Sequence, residues 1–203
     1  MPFLFLVLFI IFLSVISLYR KRHDRRQNEV EENFWARESE ANHVRRKDIS
    51  ELPYITIPFD SFSIGSFPDD ALSELETELT AFGDKKMLNL AGKTNTDLKL
   101  LYGPANLTAL TEYDNNYVEM LKLLNQYADR LIELNHIDAA VPVLEFAIST
   151  GSDFTSHYMT LAVYYRSHQM PDKLVWLKTQ AEALPTLMRN SIVKKLTEFS
   201  EAE

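Results

Sequence analysis

The string in this chain that comes nearest to a phosphate-binding sequence is Gly92-Lys93-Thr94. A phosphate-binding P-loop needs another glycine five residues before its second glycine, so that backbone amides can wrap around the phosphate. Met87 occupies that position, and residues 88–91 are mostly apolar rather than flexible. This departure argues against a nucleotide site.

The histidines and carboxylates form no recognisable catalytic or metal-binding pattern. The five histidines are His23, His43, His136, His157 and His168. No two of them have the helical spacing of a metal site together with a carboxylate, so we interpret them as solvent-facing or capping residues. Carboxylates are frequent within residues 69–84. A general acid–base pair needs two of them in different environments, whereas these are typical of a solvated face.

The absence of cysteine removes further classes of chemistry. With no cysteine in the sequence, a disulfide framework, thiol catalysis and cysteine-bearing metal sites are excluded. Together with the patterns above, this predicts that the protein is not an enzyme. It also predicts no cofactor, no metal and no small-molecule substrate.

The bulk composition indicates a globular helical protein with an acidic body. Apolar residues make up 46% of the chain and charged residues 25%, which is ordinary for a folded domain. Only five glycines occur, and the C-terminal half lacks the alternating pattern of strands, so we predict an all-α fold. Residues 48–203 carry a net charge of −11. This argues against a nucleic-acid partner, which needs a concentrated basic face.

An uncharged apolar segment at the N-terminus predicts a membrane anchor. Residues 2–19 contain no charged side chain, and eighteen helical residues span about 27 Å, enough for the hydrocarbon core. Tyr19 then lies where an interfacial aromatic belongs. The basic side chains that follow are Arg20, Lys21, Arg22, Arg25 and Arg26.

The position of these charges predicts the orientation of the anchor. A cleaved signal peptide carries its charge before the apolar region and small residues after it, which is the reverse of this order. By the positive-inside rule, the N-terminus lies outside the cell and residues 20–203 lie in the cytoplasm, as a single-pass protein of the cell membrane. Asn106-Leu107-Thr108 fits a glycosylation sequence, but a cytoplasmic location makes it irrelevant. The alternative is an extracytoplasmic peptide- or lipid-handling protein from which residues 1–19 are cleaved.

Changes in composition divide the chain into four parts. We predict the transmembrane anchor at 1–19, a basic juxtamembrane and charged linker helix at 20–47, an extended segment with short helices capping the body at 48–107, and a helical repeat domain with a C-terminal capping helix at 108–203. Phe34 and Trp35 either lie on a solvated spacer helix or dock that helix on the body. Prolines at 53 and 58 bar a regular helix there. We expect helices near 68–82, 96–101, 109–134, 137–150, 154–167, 171–184 and 186–199.

The C-terminal part repeats itself at a spacing of 34 residues, which is typical of a two-helix repeat. In the order of the chain, Leu124, Tyr127, Ala128, Leu131, Ala140 and Ala147 reappear as Tyr158, Leu161, Ala162, Tyr165, Leu174 and Ala181. Such units stack side by side and form binding surfaces. Because each leaves an apolar face for its neighbour, we expect residues 186–199 and 71–107 to cap the two ends.

The two units resemble tetratricopeptide repeats, with Asn135 and Gln169 standing where that family usually has glycine. More loosely, residues 34–38, 48–55 and 95–100 resemble an uncharacterised family of membrane-anchored bacterial proteins. The first resemblance implies that the groove lined by the first helix of each unit binds a peptide. The corresponding residues here are Lys122, Asn125, Asp129, Glu133, Ser156, Met159, Val163 and Arg166.

Two interpretations of this groove stay open. Either it binds a protein or peptide with both basic and apolar character, or it is filled by the chain's own residues 48–66. On the first interpretation the protein is a scaffold or assembly factor, a protein–protein interaction module held at the membrane.

Overall fold

The prediction of an all-α fold is confirmed. The computed structural model describes the backbone of residues 2–201; between residues 2 and 27 it describes the side chains of Phe9, Phe12, Ile16, Ser17, Tyr19, Arg20, Arg22 and His23 only. Within this range the chain forms eight α-helices and no strand. They are α1 (Pro2–Asn42), α2 (Asp70–Thr80), α3 (Asn95–Tyr102), α4 (Leu107–Glu133), α5 (Ile137–Ser149), α6 (Thr155–Ser167), α7 (Pro171–Ala183) and α8 (Arg189–Glu201). Short 3₁₀ turns occupy Phe59–Ser61 and Pro104–Asn106.

The contacts between residues divide the chain into two compact units. Unit 1 comprises Met1–Asp48 and Thr94–Leu107, and unit 2 comprises Ile49–Lys93 and Thr108–Glu203. Residues 94–107 therefore belong with α1 by their contacts, whereas residues 49–93 belong with the repeat helices. The four sequence-based parts, with boundaries at 47/48 and 107/108, stay a prediction.

The N-terminal helix α1 is 41 residues long. In the described part of the chain, no helix combines the length and apolar character needed to cross a membrane. Most side chains of residues 2–19, where we predict the anchor, lie outside the described residues. The anchor therefore stays a prediction.

In unit 1, α3 packs against α1 through charged side chains. Thr94 caps α3: its hydroxyl accepts from the backbone N–H of Asp97, and the Asp97 carboxylate accepts from the backbone N–H of Thr94. Asp97 also accepts from the Arg37 guanidinium on α1, and Glu38 forms an ion pair with Lys99. Hydrogen bonds and the nearby Arg37 charge lower the pKa of Asp97. The cap and the ion pairs fix α3 along the last turns of α1.

Asn106 joins the ends of both segments of unit 1. Its side-chain amide donates to the carbonyls of Lys47 (2.8 Å) and Tyr102 (2.7 Å), and its oxygen accepts from Arg46 (3.1 Å). The residue is 1% exposed. Both amide hydrogens are used and solvent cannot reach them, so the folded chain is not a glycosylation substrate at Asn106 on either side of a membrane.

Phe34 and Trp35 present largely exposed side chains on α1. Their side chains are 53% and 60% exposed, and the two rings contact each other edge to face with their centroids 5.3 Å apart. Ala41, near the C-terminal end of the same helix, is fully buried. The solvated-spacer interpretation fits these exposures.

The core of unit 2 is built on small residues at helix crossings. Ala128, Ala140, Ala147, Ala162 and Ala181, all from the 34-residue register, are 0% exposed. Because alanine lets two helix backbones approach closely, the larger buried side chains pack between these crossings. They include Leu124, Tyr127, Leu131, Tyr158, Leu161 and Tyr165.

The two helical hairpins turn in the same way, 34 residues apart. Asn135 and Gln169 have positive φ angles of 64° and 54°. The next residue donates its N–H back five residues in each hairpin, from His136 to Leu131 (2.8 Å) and from Met170 to Tyr165 (2.9 Å). These are the bonds of a Schellman motif. The residues in place of glycine thus adopt the backbone conformation that glycine usually supplies.

The segment before α2 is irregular, as its prolines predict, but it contributes to the core. Ile57 and Phe62 are 4% and 6% exposed. The Phe62 ring contacts Phe146 of α5, and Phe67 stacks on His136, the residue before α5. These contacts lie with α5 and its preceding turn rather than with the residues predicted to line the groove.

The C-terminal helix begins later than predicted. We expected it from residue 186, but α8 begins at Arg189, and Leu187 before it is 99% exposed. Pro185 holds the residue before it out of the helical region, and Leu184 accordingly has an extended ψ of 132° where α7 ends. Ile192 and Leu196 of α8 are buried.

Candidate functional site

The eight predicted binding residues lie on two helices of unit 2. Lys122, Asn125, Asp129 and Glu133 follow each other at helical spacing on α4, and Ser156, Met159, Val163 and Arg166 do so on α6. Residues three or four apart share a helix face, so each set forms one stripe. We call the two stripes together the α4–α6 surface.

Asn125 is the point at which the structure joins the two stripes. Its side-chain oxygen accepts hydrogen bonds from Ser156 Oγ (3.3 Å) and from the ring Nε2 of His157 (3.0 Å), both on α6. Its side-chain nitrogen donates to Asp129 Oδ2 at 2.8 Å. Because the nitrogen is committed to a carboxylate, the oxygen must point to α6. Asn125 therefore holds α4 and α6 in register and orients Asp129.

Asp129 is an acidic group without a cation beside it. No ion pair of Asp129 occurs among the described residues, and burial raises the pKa of its carboxyl, with a further contribution from the neighbouring Glu133 charge. The hydrogen bond from Asn125 acts in the opposite direction. The residue as a whole is exposed despite this partial burial, so its carboxylate can accept a charged donor from outside the chain.

The other charged members of the α4–α6 surface are engaged within the chain. Lys122 pairs with Glu119 at 2.7 Å, and Glu133 pairs with Arg130 at 2.9 Å. The Arg166 guanidinium lies 3.7 Å above the ring centre of Phe199 and donates to that residue's carbonyl. Arg166 therefore ties α6 to α8, a structural task that the sequence does not reveal.

Apolar side chains occupy the α6 side of the surface. Val163 is 52% exposed, while Met159 is half-buried and packs against the core. The helix α6 packs against α8 as well as α7. The same 34-residue step from Met159 and Val163 leads to Val193 and Thr197 on α8, which are half-buried. We did not predict from the sequence that a third helix adjoins this surface, although the 34-residue step from Ala162 to the buried Leu196 indicates it.

His157 lies behind this surface, and of the two roles expected for the histidines, solvent-facing or capping, the solvent-facing one does not apply to it. The side chain is 1% exposed. Its Nε2–H donates to Asn125, and its Nδ1 accepts from the Ser152 hydroxyl, 2.9 Å away. Burial lowers the pKa of His157 to about 4, so the ring is neutral at physiological pH. Its place four residues before the buried Leu161 is a signal of burial that sequence reasoning could have used.

The Ser152–His157 pair has the composition of a nucleophile and its base. Ser152 is 0% exposed, however, and also accepts from the backbone N–H of Phe154. A substrate must come within bonding distance of the serine oxygen, and the surrounding chain closes that path. The pair therefore serves to satisfy buried polar groups where α6 begins.

A buried acid, Glu76 of α2, lies in another part of unit 2. One carboxylate oxygen accepts from the Tyr127 hydroxyl (3.0 Å) and the other from the backbone N–H of Gly65 (3.0 Å). Burial and this carboxylate raise the pKa of Tyr127. A cavity of about 410 Å³ beside Glu76 is lined by Ile64, Ser73, Glu76, Thr77 and Thr80. The serine and both threonines donate to carbonyls of their own chain segment, so this site joins a loop to two helices.

Metal ligands do not cluster in the described residues, where no group of three or more histidine, aspartate or glutamate side chains could hold an ion.

Comparison with known proteins found no matching family model, no similar curated protein and no similar solved structure. The basis for a proposed function is therefore the geometry of the α4–α6 surface.

Proposed function

We propose that this chain is a membrane-anchored protein–protein interaction module whose α4–α6 surface binds a segment of a partner protein. The observation that carries the proposal is the joining of two exposed stripes by Asn125, with the Asp129 carboxylate and the Val163 side chain accessible. A mixed acidic and apolar surface of this kind supports recognition of a side-chain pattern.

The resemblance to tetratricopeptide repeats supports the same proposal. The two hairpins share a turn with a positive φ at Asn135 and at Gln169, and they share buried alanines at the 34-residue spacing. Stacked helical hairpins expose long surfaces that suit extended partners. We propose that α4–α5 and α6–α7 are two such units and that α8 supplies the first helix of an incomplete third.

The sequence supports the membrane part of the proposal. Residues 2–19 are uncharged and are followed by a basic cluster at 20–26, the arrangement of an anchor whose C-terminal side faces the cytoplasm. On this proposal the protein is a scaffold or assembly factor at the inner face of the membrane. Removal of residues 1–19 and export of the rest is the alternative that the next experiment distinguishes.

A single introduced cysteine reports the side of the membrane. The chain has no cysteine, and Leu187 is 99% exposed, so Leu187→Cys adds one reactive thiol without loss of packing. We expect a membrane-impermeant maleimide to label this variant only after the cells are broken open. Mass spectrometry of the same protein is expected to find residues 3–19 intact.

The cysteine-free wild type is the control for background labelling. Labelling of Leu187→Cys in intact cells would contradict the cytoplasmic placement. Loss of residues 1–19 from the mature protein would favour the exported alternative.

A photo-crosslinker at position 163 tests the interaction surface. Val163 makes no polar contact that replacement would break, unlike Glu133 and Arg166, which are engaged in the fold. We expect a photoreactive amino acid at 163 in the full-length chain to give discrete crosslinked species in cells. The readout is the mass of each species on a denaturing gel and the partner peptides identified in it.

The matched control is the same photoreactive residue at position 175. Val175 is 67% exposed on α7, so its accessibility at least equals that of Val163 while it lies outside the α4–α6 surface. Crosslinks of equal yield from both positions, or none from 163, would count against the proposed interaction surface.

A further inference from the structure

We infer that the α4–α6 surface takes a linear peptide segment that carries a lysine or arginine beside an aliphatic side chain, the cationic group binding Asp129 and the aliphatic group packing on Val163 and Met159. This inference rests on the proposed interaction function and names the chemistry of its partner. The class of ligand follows from charge, from exposure and from the register of the helices.

The charge of the site favours a cation. Asn125 donates to Asp129 and holds its carboxylate in place, yet no lysine or arginine among the described residues pairs with it. The nearest basic residue in sequence, Arg130, is committed to Asp69 by two hydrogen bonds (3.1 and 2.6 Å) and to Glu133 by a third. An ammonium or guanidinium group from a partner would form a charge-assisted hydrogen bond that the chain itself does not supply.

The competing cations of the surface do not neutralise this site. Lys122 is held by Glu119, and Arg166 is held by the carbonyl and ring of Phe199. A partner with a free carboxylate would meet Asp129 and Glu133, and to reach a cation it would have to displace Lys122 from Glu119 or Arg166 from Phe199. Charge complementarity therefore selects a basic segment over an acidic one.

The aliphatic requirement follows from the position of Val163. A step of 34 residues leads from Asp129 on α4 to Val163 on α6, and from Asn125 to Met159. The two helices adjoin, because Asn125 accepts hydrogen bonds from Ser156 and His157 of α6. Val163 is 52% exposed. A side chain that covers it would remove apolar surface from water while its neighbour reaches Asp129. An extended peptide places both groups within a few residues.

A peptide library displayed on phage tests the inference with the full-length protein in detergent. The probe is a library of random linear 12-residue peptides, selected separately on the wild type and on Asp129→Asn. Asparagine keeps the shape of aspartate and can still accept from Asn125. We expect wild-type selections to be enriched in lysine or arginine next to leucine, isoleucine or valine. Peptides so selected are expected to bind Asp129→Asn at least about tenfold more weakly.

Asp172→Asn is the matched control, because Asp172 is an exposed aspartate on α7 outside the surface. The selected peptides are expected to bind this variant as they bind the wild type. Replacing their basic residue with glutamine is expected to weaken binding to the wild type but not to Asp129→Asn.

The possible failures are distinguishable. Selected peptides that lack a basic residue, or that bind Asp129→Asn as well as the wild type, would overturn the inference but leave a peptide-binding function in place. If selection on the wild type enriched no peptide at all, the proposed peptide-binding function would fail together with the inference.

Discussion

Replacement of Gly103 with alanine is expected to destabilise unit 1 by about 3 kcal/mol, as the sum of a backbone penalty and a steric one. Gly103 follows α3 with a φ of +87° and a ψ of 146°, close to a region that is essentially confined to glycine and costs a residue with a side chain about 1–3 kcal/mol. An added Cβ would lie 2.7 Å from the carbonyl oxygen of Arg45 and 2.9 Å from Cα of Arg46. These are backbone atoms, so no side-chain rotation relieves the overlap.

The overlap falls where the two segments of unit 1 meet. The N–H of Lys47 donates to the carbonyl of Tyr102 (3.0 Å), and the N–H of Gly103 donates to Lys99 (2.7 Å). Moving Gly103 away from Arg45 lengthens the first of these bonds. We expect the amide hydrogen of Lys47 to exchange with deuterium roughly a hundredfold faster in Gly103→Ala than in the wild type, which corresponds to the expected loss of stability.

Gly65→Ala is the control that carries a backbone penalty for positive φ without a steric overlap. Gly65 also has a positive φ, +69°, but an added Cβ there meets no atom within 4 Å. This variant is expected to lose only the backbone part, about 1–2 kcal/mol, measured by exchange within unit 2. An equal loss in the two variants would show that the close approach of Gly103 to Arg45 is not a determinant of unit 1.

Local sequence rules predicted the helices and their turns well, because the signals are carried by neighbouring residues. The apolar spacing of α4 to α7 and the alanines at their crossings gave the helices and the buried register. Asn135 and Gln169 lie where a glycine-like turn is needed, and both have positive φ. Pro171 begins α7 as its fixed φ favours.

What the sequence did not predict depends on contacts between distant residues. The pairing of α3 with α1 rests on Arg37 and Asp97, sixty residues apart, and a charged pair of this kind has no periodic signature. Arg166 was predicted as a binding residue but is engaged by Phe199. His157 was interpreted from its type, whereas its burial follows from the neighbours Asn125 and Ser152. The predicted surface stays a prediction, in which Val163 is 52% exposed and Asp129 forms no ion pair with a described residue.

Acidification from pH 7 to pH 5 is expected to lower the free energy of unfolding by about 2 kcal/mol through His157. Its pKa in the folded chain is lowered to about 4 from the ordinary 6.5 by burial. The buried ring stays neutral in the folded chain, whereas the same ring in the unfolded chain takes up a proton below pH 6.5. Acidification therefore favours the unfolded chain. The stabilisation is therefore complete above that value and is lost as the pH falls from 6.5 towards 4.

Other titrating groups act elsewhere or in the opposite direction. Arg130 and the N-terminal amides of α2 lower the pKa of Asp69 to about 2, so the stabilisation from Asp69 is lost only as the pH falls below its ordinary value near 4. The raised pKa of Asp129 favours the folded state on acidification. The contribution of His157 is isolated by comparing the wild type with His157→Gln, in which the amide can donate to Asn125 but does not ionise between pH 5 and 7.

The measurement is urea unfolding of the full-length protein at pH 7 and pH 5, followed by fluorescence of the half-buried Trp176. The substitution Trp35→Phe removes the second tryptophan, which is 60% exposed. His168→Gln serves as the control because His168 is exposed, and it is expected to keep the wild-type loss of about 2 kcal/mol. His157→Gln is expected to be less stable at pH 7 and to lose little more at pH 5. If the free energy of unfolding fell equally between pH 7 and pH 5 in His157→Gln and in the wild type, a group other than His157 would be responsible for the proton uptake.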